Sequence, residues 1–220
     1  MKQRPILFNG EMVRAILCGQ KTQTRRVMKV QPLLNGHFWQ VYGAGWSDSV
    51  TSVPAMPGHS LERNCPFGQP GDQLWLREAW QYYDWSEDGM PCIRFAADNQ
   101  TIWAENADES AEDQWEILSR PANYNIDNRA RDRKWRPSIH MPRWASRITL
   151  EITGIRVERL KDISEDDAKA EGAIGGHGAI PGYQYSATPL EHFKHIWEST
   201  GGDWEANPWV WVIEFKRVEQ

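Results

Sequence analysis

A chain of 220 residues with 40% hydrophobic side chains is long enough to bury a core without disulfide or metal staples. A formal net charge of −5 excludes a uniformly basic nucleic-acid binder, and no apolar run approaches the roughly 18 residues of a membrane span. Cys18, Cys65 and Cys92 are scattered with no C-x-x-C pair, which predicts reduced thiols. Met1 to Pro5 is polar and reads as no secretory leader, so the expected compartment is the cytoplasm.

The charge is unevenly spread. Residues 1–30 hold seven Lys or Arg against one Glu, and residues 129–147 hold seven against one Asp. Residues 84–116 hold ten acids against one Arg, so a polarised surface is expected, with basic faces that attract phosphate despite the negative total. Thirteen Trp residues are mostly core, but Trp135 and Trp144 fall inside the second basic stretch, where stacking on a base is useful.

In chain order, Arg4–Phe8 alternates as a strand, and Met12, Val13, Ile16 and Leu17 recur at helical spacing from Glu11 to Cys18. Gly19 stands where a helix ends on a positive-φ residue. Thr22 to Val30 then reads as a strand with Thr22, Thr24 and Arg26 on one face, so that Lys21, Thr24 and Arg26 converge on a small anionic or polar ligand. The competing reading is a solvated basic strand after a surface helix. Gln31 to Pro70 is a Gly- and Pro-rich excursion with a hairpin through Phe38–Tyr42, closed by the turn Pro70-Gly71-Asp72. Gln73–Trp80 alternates as one strand, with Leu74, Leu76 and Glu78 on one face. A buried Glu78 there needs a cation such as Arg26 or Lys21.

Residues 84–134 form a second excursion, with a helix predicted over Ser110–Leu118. Trp135 to Trp144 is extended and punctuated by proline, and its Arg136, His140, Arg143 and Trp144 are candidate ligand contacts. Arg147–Ile155 is a patterned strand continuing to Arg159. Ser164 to Gly172 is a short helix with Ser164 as N-cap, Asp167 three residues on, and Gly172 as its stop. Glu171 sits in its last turn, where the helix dipole opposes a carboxylate, so helix stability does not explain it. Gly175 to Gly182 lacks the Lys-Ser/Thr of a phosphate loop and reads as a flap. Pro189–Ser199 is a helix with Leu190, Phe193, Ile196 and Trp197 inward. Its His192 and His195 have a metal-compatible spacing but no third ligand, and are expected to be solvated, so no metal or cofactor is predicted. Trp209–Phe215 is an apolar, centrally placed closing strand.

Gly19-x-Lys21-x-x-x-x-Arg26, followed by Gly71-Asp72 ahead of an apolar strand, resembles the ASCH domain, a relative of the PUA RNA-binding fold. Many members carry Glu where this chain has Thr24. The same departure occurs in small bacterial ASCH amidohydrolases that deacylate N(4)-acetylcytidine, and the rest of the chain is similar to longer ASCH-like proteins of phages and prophages. The resemblance implies an α+β fold: one PUA-like mixed β-barrel over residues 1–220, with short peripheral helices and two long insertions at about 31–64 and 84–134. It also implies catalytic Lys21, Thr24 and Glu171, with Lys21 exposed at a cleft mouth and Arg26 and Glu78 among the ligand contacts. Two functions follow as expectations. One is hydrolysis of an N-acylated or otherwise modified pyrimidine nucleoside or base, in which an amine of lowered pKa takes the proton of a Thr hydroxyl. The other is a non-catalytic module that binds RNA, DNA or a modified base through the basic stretch Arg129–Arg147. Partners are then a nucleoside or a single-stranded nucleic acid, with no membrane, and the oligomeric state is left open.

Overall fold

The computed structural model describes residues 1–41, 51–54, 61–85, 90–103 and 134–218. The predicted helix Ser110–Leu118 and the basic residues Arg129, Arg131 and Arg133 lie outside them. In chain order the first elements are β1 (Gln3–Leu7), α1 (Gly10–Leu17), β2 (Gln23–Val27), β3 (Leu33–Asn35), β4 (Phe38–Val41), β5 (Thr51–Pro54) and β6 (Gln73–Arg77). Then come β7 (Trp80–Trp85), β8 (Pro91–Phe95), β9 (Thr101–Trp103), β10 (Thr149–Arg159), α2 (Glu165–Ala170), β11 (Gly176–His177), β12 (Ser186–Ala187), α3 (Pro189–Ser199) and β13 (Trp209–Val218). The fold is α+β and dominated by sheet, with three α-helices among the described residues. The strand pairings of those residues do not define a closed barrel. No helix among them is long and apolar enough to cross a membrane.

The chain divides into two compact units. Unit 1 comprises residues 1–3, 15–73 and 150–218. Its central strand is β13, flanked by β10 and β2. β13 runs antiparallel to β2, with Ile213 opposite Thr24 and Trp211 opposite Arg26. Val210 and Val212 project from it into a core with Leu160, Ile163, Ala168, Phe193 and Trp197. Both local helices are written in their caps. The Ser164 hydroxyl accepts from Asp167 N–H while the Asp167 side chain accepts from Ser164 N–H, and Thr188 and Glu191 repeat the exchange at α3, where Pro189 takes the first turn. Gly172, at φ +94°, ends α2. Among the described residues of the excursion after β2, β3 pairs with β4 across Gly36 as a hairpin, and β5 adds on the far side of β4.

Unit 2 comprises residues 4–14, 74–149 and 219–220. In it β1 neighbours β6, and β7, β8 and β9 form a separate antiparallel sheet. Trp80, Tyr82, Ile93, Phe95, Met141 and Ala145 make its core. The single strand expected over Gln73–Trp80 is two strands, broken at Glu78-Ala79, because Glu78 turns away to an ion pair and Trp80 starts a new ladder. The start of the second excursion is sheet rather than irregular chain. Trp135–Trp144 is extended as expected, interrupted by short 3-10 turns at Ser138–His140 and Arg143–Ala145 that each begin on a proline.

Gly19 (φ +77°) precedes Lys21 in the chain and Gly172 (φ +94°) packs against it from the end of α2, and both use backbone that L residues rarely adopt. A Cβ at Gly19 meets nothing within 4 Å, whereas one at Gly172 meets Ala15 Cβ at 3.0 Å and Lys21 Cβ at 3.5 Å. Gly19→Ala is therefore expected to lose roughly 1 kcal/mol and Gly172→Ala roughly 2 kcal/mol or more, read from urea-denaturation midpoints. Equal losses would show that only the backbone term acts.

Candidate functional site

Lys21, Thr24, Arg26 and Glu171 all lie in unit 1. Past Gly19, the Gln20 and Lys21 N–H groups both donate to Ala15 O, at 2.9 and 3.0 Å, which turns the chain off the helix end. Thr22 then donates its N–H to Ala170 O at 2.8 Å and accepts from Phe215 N–H at 2.8 Å. This stitches the segment to the end of α2 on one side and to β13 on the other. Lys21 consequently forms a bridge with Glu171. Its Nζ donates to Glu171 Oε2 at 2.6 Å and to Glu171 O at 2.8 Å. Arg26 Nη1 donates to Thr24 Oγ1 at 2.8 Å and to Arg25 O at 3.0 Å.

The sequence places Lys21 at an exposed cleft mouth; in the fold it is 2% exposed, Thr24 is 0% and Glu171 is 7%. The correction has a physical cause. Charged side chains go fully inside only when paired, and Lys21's partner stands 150 residues along the chain. Burial pushes the Lys21 amine below the ordinary lysine value; the charge and hydrogen bond of Glu171 oppose the shift, and Arg26 and Arg25 add to it. Burial likewise lowers Arg26, against the attraction of Glu171.

Arg25 stands outside the site residues expected from sequence. Its side chain is fully buried. Nη1 lies 3.3 Å from Glu171 Oε1, and Nη2 lies 3.0 Å from Glu158 Oε2 and 3.4 Å from Asp167 Oδ2. The Phe193 ring covers the guanidinium at 5.9 Å. Arg156 continues the network through Glu158, Glu214 and Asp167, the last at 2.7 Å. Lys21, Arg25, Arg26 and Arg156 thus face Glu158, Asp167, Glu171 and Glu214, four basic side chains against four carboxylates. The one signal in the sequence was strand alternation, which sets Gln23 and Arg25 together on one face of β2.

The other candidates belong to unit 2. Glu78 is buried, and the cation that meets it is Arg147 rather than either named from sequence, through a two-pronged contact at 2.9 and 3.0 Å. Burial raises the Glu78 carboxyl, and the Arg147 hydrogen bond pulls it back. Arg147 also holds Asp98 and sits 3.9 Å over Phe95, a geometry that ties strands together. Arg136 stacks on Trp80 and Tyr82 at 5.4 and 5.0 Å, and Arg143 on Trp75 at 5.9 Å. Trp144 packs on Trp80 at 6.3 Å, so its ring is largely committed to the interior. His140 is exposed, as is Trp135 at 47%.

His192, expected to be solvated, is buried and accepts the Gly175 N–H at Nδ1. That bond fastens the start of the glycine-rich loop to α3. Among the described residues no three His, Cys, Asp or Glu side chains converge to hold a metal ion. Comparison with protein-family models, curated proteins and solved structures returns no match.

Asp167 reports on the network. Burial works against its charge, but hydrogen bonds from Gln23 and Ser164 and the charges of Arg156 and Arg25 hold its carboxyl down to about 2. The folded value lies below the unfolded value of about 3.9, so the contribution is fully present above about pH 4 and is lost as pH falls through about 2. Asp167→Asn is expected to cost about 2 kcal/mol at pH 7, a gap that narrows steadily between pH 4 and pH 2 in denaturant titrations. A gap independent of pH would remove the ion pairs from the account.

Proposed function

We propose that the chain is an ASCH-type, PUA-like protein of the cytoplasm whose unit 1 hydrolyses the amide of an N-acylated or otherwise modified pyrimidine nucleoside or base. The observation that carries the reading is the Lys21–Glu171 pair, with Nζ to Oε2 at 2.6 Å inside the protein. Desolvation is the standard means of giving a lysine amine a pKa suited to proton abstraction. Two donor bonds from Nζ, to Oε2 and to the Glu171 carbonyl, are within the capacity of a neutral amine, which keeps a lone pair for a proton. Thr24 supplies the hydroxyl that attacks or orients water, and the bond it accepts from Arg26 stabilises negative charge growing on its oxygen. Lys21 passes the proton it has taken to Glu171 along their 2.6 Å contact, and Glu171 delivers it to the leaving amine; where Thr24 itself attacks, water then releases the acyl group from its oxygen. Because Lys21 and Thr24 are buried, substrate must open the site, and Arg26 is the most exposed of the four.

A specific feature favours a second reading. Trp135, 47% exposed beside Lys134 and Arg136, offers a stacking ring within positive charge, as a single-stranded nucleic-acid binder needs. Such binding falls steeply with salt, which hydrolysis of a neutral nucleoside does not.

The test is acetate release from N(4)-acetylcytidine by the purified protein and two variants. Lys21→Met is expected to abolish turnover and to cost about 3 kcal/mol of stability, since it leaves one oxygen of the buried Glu171 carboxylate without its partner. Glu171→Gln is expected to lower kcat by at least about tenfold while KM changes little, the pattern of a group felt in the transition state. Wild-type rates in a folded Lys21→Met protein would make the pair purely structural and leave the binding module as the function.

A further inference from the structure

Arg25 divides the Glu171 carboxylate with Lys21. One oxygen, Oε2, receives the Lys21 amine at 2.6 Å; the other, Oε1, faces Arg25 Nη1 at 3.3 Å. The guanidinium is held for this task from three further directions. Glu158 and Asp167 fix Nη2, and the Phe193 ring lies against the guanidinium. Asp167 and Glu158 are themselves gripped by Arg156. A buried arginine used only for packing needs one carboxylate, and this one contacts three while its Nε–H is left without a hydrogen-bond partner. An arginine held by Glu158 and Asp167 that also reaches the carboxylate gripping Lys21 has a more particular consequence. A carboxylate that shares its charge with a second cation binds a proton on its neighbour less strongly, and a second fixed positive charge nearby repels that proton directly.

We propose that Arg25 is a positioning residue that pins Glu171 and divides its charge, so that Lys21 is held in place without being held in its protonated form. The assignment of a catalytic benefit rests on the hydrolase reading above; the effect on Lys21 itself does not. The direction agrees with the lowered Lys21 amine, for which burial is the main cause, Glu171 opposes the shift, and Arg26 and then Arg25 add to it. Removing the guanidinium leaves Glu171 wholly to Lys21, and the amine then keeps its proton to higher pH.

The experiment follows the Lys21 side-chain nitrogen by NMR through a pH titration of the full chain, in the wild type, Arg25→Met and Arg25→Lys. Arg25→Met is expected to raise the Lys21 midpoint, while Arg25→Lys, which keeps the charge, stays nearer the wild type. Should Arg25→Met fail to fold, Arg25→Gln retains a hydrogen-bonding head without charge and carries the same expected direction. In acylcytidine hydrolysis the neutral variant is expected to lower kcat roughly tenfold near neutral pH, with KM within about twofold and the activity recovering at higher pH. A folded, neutral Arg25 variant whose Lys21 titrates as in the wild type overturns the proposal. If the wild type shows no hydrolysis, the function proposed above fails while the titration still decides what Arg25 does.

Discussion

Everything in unit 1 depends on keeping one ammonium or amine inside the protein. Taking a lysine out of water costs several kcal/mol unless it is met by opposite charge and hydrogen bonds. Glu171 meets Lys21 with a carboxylate oxygen and also with its own backbone carbonyl. That arrangement is available because Glu171 is the C-cap of α2, at φ −74° and ψ −8°, just before a glycine able to reverse the chain. The helix dipole disfavours a carboxylate at that end. Lys21 offsets the penalty locally, so each residue supplies a reason for the other to be where it is.

The pair does not stand alone, and the network around it explains why a short helix of six residues holds its place. Asp167 closes the capping box with Ser164 and at the same time takes Gln23, Arg25 and Arg156. One side chain thereby joins the start of α2 to β2 and β10. Replacing a buried ionic cluster by apolar packing is often neutral or stabilising, so stability alone is a weak reason for this one. An arrangement that fixes the direction and charge of one carboxylate beside one amine is a better reason, and reactive sites are where such perturbed groups gather.

The parts of the fold legible in the sequence were those written locally. Gly19 and Gly172 ending their helices, the Ser164–Asp167 box, and the inward Phe193 and Trp197 of α3 all follow from neighbours within four residues. Strand alternation put Thr24 and Arg26 on one face, where Arg26 donates to the Thr24 hydroxyl, and Glu171 was singled out by its adverse place on a helix together with the family pattern. What stayed hidden rests on long-range partners. Glu158 lies 133 residues from Arg25, and Arg147 lies 69 from Glu78, so neither pair leaves a trace in spacing. Burial of Lys21 was missed for the same reason, because a charged residue in a polar run reads as surface until its partner is known. Strands β8 and β9 escaped because they are short and lie in an acidic stretch with a net character of loop.

The claim at the centre of this account is that the Lys21–Glu171 pair is where a nucleoside is processed, and a structure of the Glu171→Gln protein with N(4)-acetylcytidine tests it most directly. The account predicts the acyl carbon within about 3.5 Å of Thr24 Oγ1, with Lys21 Nζ in hydrogen-bonding reach of that hydroxyl. A nucleoside stacked on Trp135 in the basic segment of unit 2, with Lys21 and its neighbours undisturbed, would contradict it.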